Sequence, residues 1–202
     1  MNQVLNYIGG RFQAAASGRV VDNRSSITGE VLCTIPRSDG SDVDAAAEAA
    51  RAARQGAWST WTIEQRATLL ESVANALEAR MHELAHTESQ DTGKPLRVAS
   101  SVDIPRAVAN FRFFASAVRQ HHDGAHEMAS AINYTLRRPV GTVGLITPWN
   151  LPLYLLSWKT APALAMGNAI VAKPSEMTPM TATLLARILD EVGLPPGGFN
   201  LV

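Results

Sequence analysis

The sequence predicts an α/β fold built on an incomplete, doubly wound parallel sheet. Three observations predict it. Apolar, strand-like runs at 140–146, 169–173 and 199–202 alternate with helical stretches at 152–166 and 178–191, the β-α-β-α-β order of a parallel, Rossmann-like sheet. The joints are punctuated, with Gly167-Asn168 after the first helix and Gly193 after the second. The 202 residues are 46% hydrophobic and 18% charged, enough for a packed core.

The elements follow in order. Tyr7-Ile8-Gly9-Gly10-Arg11-Phe12 sets two glycines between apolar flanks and predicts a β-hairpin. Ile27-Thr28-Gly29-Glu30 is a second turn, between strand candidates at Val20-Val21 and Val31 to Ile35. From Asp42, read as an N-cap, to Gly56 the pattern is helical, with Ala45, Ala46, Ala49, Ala52 and Ala53 as a close-packing face. Thr62 opens a helix whose Leu69, Leu70, Val73, Ala74 and Leu77 keep the helical period. Met81 to Thr92 forms another, stopped by Gly93, and Asp91 to Pro95 reads as a loop. Val98 to Gln120 is a long helical segment in which Pro105 starts a new helix or kinks the old one. Residues 121–131 are polar, and 133–139 alternates like an exposed strand that needs a partner, an expected oligomerisation arm. Residues 140–146 read as a buried strand, and Thr178 as the cap of a helix with Pro179 in its first turn. The third strand, at 199–202, is expected to leave an apolar sheet edge exposed, so that the isolated chain is poorly soluble or partly unfolded.

Charge and composition exclude several classes. Lys plus Arg equals Asp plus Glu at 18 each, so no electrostatic argument supports nucleic acid or an anionic membrane as partner. No stretch approaches the ~20 apolar residues of a membrane span, and Met1 to Gly10 lacks a signal-peptide pattern, which makes cytoplasmic the expected location. The single cysteine, Cys33, reads as a small buried hydrophobe in a strand. His121, His122 and His126 lie in a polar stretch without acidic or thiol co-ligands, so no metal site is expected.

Two constellations carry chemistry. Ile146-Thr147-Pro148-Trp149-Asn150-Leu151-Pro152-Leu153 falls at the carboxyl end of the first parallel strand, where ligands of such sheets bind. Two prolines stiffen the backbone around Trp149-Asn150. An Asn amide held there can donate to developing negative charge, and it fits an ordinary turn residue equally well. Lys173-Pro174-Ser175-Glu176-Met177-Thr178-Pro179 follows the second strand. Lys173 and Glu176 can grip one ribose from two sides, or form a surface ion pair. Glu176 would repel a 2′-phosphate, which favours NAD over NADP. No G-x-G-x-x-G is present.

Together with Trp158-Lys159, Pro162-Ala163-Leu164, Gly167-Asn168, Thr178-Pro179, Gly193 to Gly197 and the upstream Asp91-Thr92-Gly93-Lys94-Pro95, these corners resemble the aldehyde dehydrogenase superfamily in order and spacing. The resemblance runs from Tyr7 onward. It implies that Asn150 is the oxyanion donor. It implies that Lys173, Ser175 and Glu176 hold the adenosine side of NAD, and that Ile146, Thr147, Pro148 and Trp149 line the nicotinamide side. It also implies a small-molecule aldehyde substrate and a homo-oligomer, dimer or tetramer. On this resemblance residues 1–120 are the first strands and helices of the cofactor domain, 121–139 the arm, and 140–202 the first half of the NAD-binding domain. The nucleophilic cysteine and base glutamate are then expected beyond Val202, and this chain alone is expected to be inactive.

A narrower likeness, carried by Asp103-Ile104-Pro105-Arg106, Asn110 to Ala115 and Trp149 to Leu156, is to the 2-aminomuconic and 2-hydroxymuconic semialdehyde dehydrogenases. It implies a substrate carboxylate remote from the aldehyde, with Arg106 as its first candidate partner and Arg112 its second. Phe111, Phe113, Phe114 and Tyr154 read as core before substrate wall. Two other readings stand beside the enzyme: a truncated nucleotide-binding or subunit-docking fragment, and an NADPH-dependent acyl-phosphate reductase on a similar fold. The Trp149-Asn150 and Lys173 to Glu176 signatures favour the dehydrogenase over the reductase.

Overall fold

A computed structural model describes residues 3–202. In chain order the strands and helices are β1 (Asn6–Ile8), β2 (Arg11–Gln13), β3 (Val20–Arg24), β4 (Val31–Pro36), α1 (Gly40–Gln55), α2 (Ile63–Ala79), α3 (Met81–Thr92), α4 (Leu96–Val98), α5 (Ile104–Arg119), β5 (Ala125–Met128), β6 (Ala131–Tyr134), β7 (Thr142–Ile146), α6 (Pro152–Ala165), β8 (Ala169–Lys173), α7 (Met180–Glu191) and β9 (Phe199–Leu201).

The β7-α6-β8-α7-β9 unit forms as the sequence predicts, with β7, β8 and β9 adjacent and parallel. The hairpin β1–β2 then extends this sheet, β1 pairing antiparallel with β9, so the sheet runs β2-β1-β9-β8-β7. This corrects the expected open edge. The third strand is covered by β1, and the margins of the sheet are β2 and β7. The predicted buried strand at 140–146 accordingly begins only at Thr142 and buries little beyond Leu145, because no strand of the chain pairs with its outer side.

α6 and α7, the helices of the two crossovers, pack together on one face of the sheet, backed by α2, α3 and α5, while α1 packs on the other. Trp58, Phe111, Leu70, Leu77, Leu84, Ile104, Leu153, Leu164 and Phe199 fill the core completely. Trp58 also donates its indole N–H to the Asn168 carbonyl (3.1 Å), which fixes the start of β8. Gly197 has φ +81°, and a Cβ there would lie 2.3 Å from the Ala49 carbonyl oxygen, so α1 approaches the turn before β9 as only glycine permits.

Several local expectations change. Asp39, not Asp42, is the N-cap of α1, and Asp42 is the N3 residue that closes a capping box. Both acids stand near the helix start, but only Asp39 has the extended backbone a cap requires. The buried stripe of α1 is Ala46, Ala50 and Ala53; Ala45 and Ala52 face outward. Thr178 does not cap α7, since its hydroxyl turns to the Trp149 carbonyl instead. The Met180 N–H at that helix start is satisfied by Asp91 of α3 (2.8 Å). Pro105 follows a π-turn, Ala99–Asp103, in which the Ile104 N–H reaches back to the Ala99 carbonyl. The widened turn lets the chain pass a residue without an N–H. The exposed strand at 133–139 is shorter and earlier: β6 spans 131–134 and pairs with β5 inside the stretch expected to be irregular.

Candidate active site at the carboxyl edge of the sheet

The two corners named from sequence emerge from adjacent strands. Ile146 and Lys173 are register partners at the ends of β7 and β8, and the Thr147 N–H still donates to the Lys173 carbonyl (3.2 Å). Beyond the strands, Thr178 lies against the Trp149 carbonyl at 3.5 Å, so the second corner reaches the first. Ile146 (71%) and Trp149 (58%) are exposed large apolar side chains at the mouth of this edge. Thr147 is buried, and its hydroxyl oxygen has no partner among the described residues.

The Asn150 side chain is exposed and makes no hydrogen bond among the described residues, whereas its backbone carbonyl accepts from Lys94 Nζ (3.1 Å). The amide is therefore free while the peptide that carries it is held. After it, Leu151 (φ −141°, ψ 66°) turns the chain into α6, with Pro152 in the first turn.

At the second corner Lys173 Nζ donates to Glu176 Oε2 (3.2 Å) and to the Pro174 carbonyl (3.1 Å). The Glu176 carboxyl is held below its usual range by its own backbone N–H and by Lys173. Ser175 Oγ accepts from the Met177 N–H, so it shapes the loop. A cavity of about 490 Å³ lies against Lys173, Pro174, Ser175 and Glu176, closed on the far side by Val21, Ile35 and Arg37. A second, of about 380 Å³, is lined by Trp149, Glu176 and Thr178 together with Asn23 and Asp91. Glu176 faces both cavities, and Asn150 lines neither.

Arg106 is an exposed residue of α5 outside every ion pair of the described residues. Helical spacing sets it on the stripe between Asp103, which pairs with Lys94, and Asn110, which donates to Ser157 Oγ (2.9 Å) and the Tyr154 carbonyl (3.4 Å). Arg106 makes no hydrogen bond among the described residues and lines neither cavity. Arg112 is committed elsewhere, to Glu78 and Asn75. Phe111 is core, but Phe113 is 64% exposed and meets Phe114 edge-on. Tyr154 stacks on Trp158. Cys33 is buried in β4, and burial pushes its thiol up despite a hydrogen bond from Asn23, the opposite of an activated nucleophile. His121 faces Asp123 and Arg137.

Sequence reasoning missed a buried polar layer behind the first corner. Glu88 of α3 accepts from Thr181 Oγ1 of α7 (2.7 Å). Asp91 accepts from Asn23 Nδ2 (2.6 Å) and the Met180 N–H. Asp103 pairs with Lys94. Burial pushes the Glu88 carboxyl up to about 7, against the opposing effects of Thr181 and Lys94. Burial likewise pushes Asp91 up to about 6. The i, i+3 spacing of Glu88 and Asp91 put both on one helix face, which was the available signal. A further cation, Lys159, donates to the Ile146 carbonyl (2.5 Å) and secures the end of β7.

Two loops joined across adjacent strand ends of a doubly wound sheet are where proteins of this α/β class take up ligands. The chain belongs to the aldehyde dehydrogenase family, whose defining pattern matches residues 12–202. It is 48% identical over 199 residues to the 2-aminomuconic semialdehyde dehydrogenase of Bos taurus, a match that covers 98% of this chain and 40% of that protein. It is 44% identical over 207 residues to the 2-hydroxymuconic semialdehyde dehydrogenase of Pseudomonas sp. (strain CF600), covering all of this chain and 43% of that one. The NAD+ complex of an aldehyde dehydrogenase from Bacillus cereus superposes with a TM-score of 0.97 at 37% identity, over 100% of this chain and 41% of that one. The chain thus spans about two fifths of the length of the relatives it matches. No helix of the described residues is long and apolar enough to cross a membrane.

Proposed function

We propose that this chain supplies the nucleotide-binding corner and the oxyanion donor of an NAD-dependent aldehyde dehydrogenase that converts a carboxylate-bearing, muconic-type semialdehyde to its acid. The observation that carries the reading is the pairing of Ile146 with Lys173 at neighbouring strand ends, which joins the two corners. Bound NAD would accept the hydride of the aldehyde. The chain's own residues bind and orient. Glu176, ionised and paired with Lys173, offers a carboxylate to a ribose diol and repels a 2′-phosphate. Ile146, Pro148 and Trp149 present an apolar wall toward the nicotinamide, with Thr147 buried beneath it. The free Asn150 amide donates to the carbonyl oxygen as negative charge develops on it. Arg106, exposed and outside every ion pair of the described residues, is the candidate for the remote carboxylate. Cys33 is not assigned as the nucleophile, since it is buried and burial pushes its thiol up.

The names and 44% to 48% identities of the muconic semialdehyde relatives support the substrate class, and the NAD+-bound relative supports the cofactor. Titration calorimetry with NAD and with NADP tests the nucleotide reading. Tighter binding of NAD is expected, with at least a tenfold loss for Glu176→Gln. Equal affinities for NAD and NADP, or an unchanged Glu176→Gln, would reject the ribose role. The same proposal makes the β5–β6 hairpin and the segment after it a docking arm for a second subunit, on the strength of exposed Met128, Ile132, Tyr134 and Leu136. A fragment that binds nucleotide or docks without catalysis uses the same two features.

A further inference from the structure

The buried layer behind the first corner is an odd investment for stability alone. Asp103 is fully buried and Lys94 partly so, and a buried pair often adds no more stability than apolar residues of equal volume would. What the pair does hold is a specific peptide. Lys94 Nζ bridges the Asp103 carboxylate and the carbonyl of Asn150, which lies 56 residues from Lys94 in sequence.

Lys94 is itself fixed from both sides: its carbonyl accepts from Ser89 Oγ (2.7 Å) and its N–H donates to Thr92 Oγ1 (3.3 Å). It follows Gly93, whose φ of +77° ends α3. A Cβ at Gly93 would fall 2.3 Å from Ser26 Oγ, so this end of α3 sits tightly on the β3–β4 turn. The base of the clamp is therefore rigid, and the tip reaches the one peptide of the corner that carries a free amide. One oxygen each of Glu88 and Asp103 is buried without a hydrogen-bond partner among the described residues.

We propose that Lys94 and Asp103 form a positioning clamp for Asn150, setting the peptide that aims its side-chain amide. The proposal rests on Asn150 being the oxyanion donor for its purpose, but not for its existence. Lys94 and Asp103 are positioning residues and touch no substrate.

Hydrogen exchange followed by mass spectrometry on the 202-residue chain tests it. The double variant Lys94→Met, Asp103→Asn removes both charges of the pair together, so neither partner is left as a lone ion. Exchange across 149–155 is expected to rise at least tenfold, while 96–104 and β8 keep their rates. A merely structural role would instead loosen 96–104 and α5 in parallel, and that result, or no change at 149–155, overturns the proposal. Should the double variant unfold, Lys94→Arg decides. It keeps Asp103 neutralised, but its planar fork replaces the rotating ammonium, and the same local rise or its absence is read. A wild-type chain that fails to bind NAD while 149–155 still responds would sink the functional reading and leave the clamp standing; NAD binding with no response would do the reverse.

Discussion

At the residue scale, burial sets the behaviour of the acids. Glu88 is completely buried, with a carboxyl pushed from 4.5 up to about 7. An acid whose folded value lies above its unfolded value favours folding when protonated. Its contribution is complete below about 4.5 and is lost as the pH rises through about 7. Asp91, pushed up to about 6, acts in the same direction over a slightly lower window. Stability is therefore expected to fall between pH 5 and pH 8. Glu88→Gln should remove a share on the order of 2 kcal/mol of that fall. Thermal melts at the two pH values check this, and a parallel decline of Tm in both proteins would exclude Glu88 as the group responsible. The spacing of Glu88 and Asp91 placed them on one face of α3 but did not say what that face meets. Glu88 meets Thr181 across 93 residues and Asp91 meets Asn23 across 68, so only the folded chain shows that they are buried.

At the element scale, local signals were legible wherever the cause was local. The Gly9-Gly10 hairpin, the helix start at Thr62 and the Gly93 stop each depend on residues within four positions of one another, and each formed where expected; the start at Thr62 proves to be a capping box closed by Gln65. The start of α7 did not, because its cap is Asp91, 89 residues away. The arm shows the same division. Alternation around 133–139 predicted an exposed strand seeking a partner, and β6 found one in β5, which polarity had hidden. Even so, the hairpin leaves Ile132 and Tyr134 exposed, as a surface for a second subunit would. Ile132→Asp is expected to shift the chain toward monomer in light scattering after size exclusion. An unchanged mass would remove the hairpin from any subunit contact.

At the scale of the whole molecule, the parallel unit was readable because alternating strands and helices leave few topologies. The completion of the sheet was not. β1 and β9 come from opposite ends of the chain, and their pairing at Tyr7 and Leu201 carries no sequence mark. That pairing covers β9 and puts β2 at that margin; the other margin is β7, the strand that ends in the first corner, where Ile146 and Trp149 are exposed beside the end of β8. The corners themselves were legible in composition and spacing. The bonds that hold the first corner, from Lys94 to the Asn150 carbonyl and from Lys159 to the Ile146 carbonyl, were not, since they end on backbone carbonyls, which any residue type could offer.

The central claim is that the Asn150 corner and the Glu176 corner form one nucleotide site. Hydrogen exchange of the chain with and without saturating NAD tests it most directly. Simultaneous protection of 146–151 and 173–178, with 125–134 unaffected, is the predicted result. Protection at only one corner, or at neither, would contradict it.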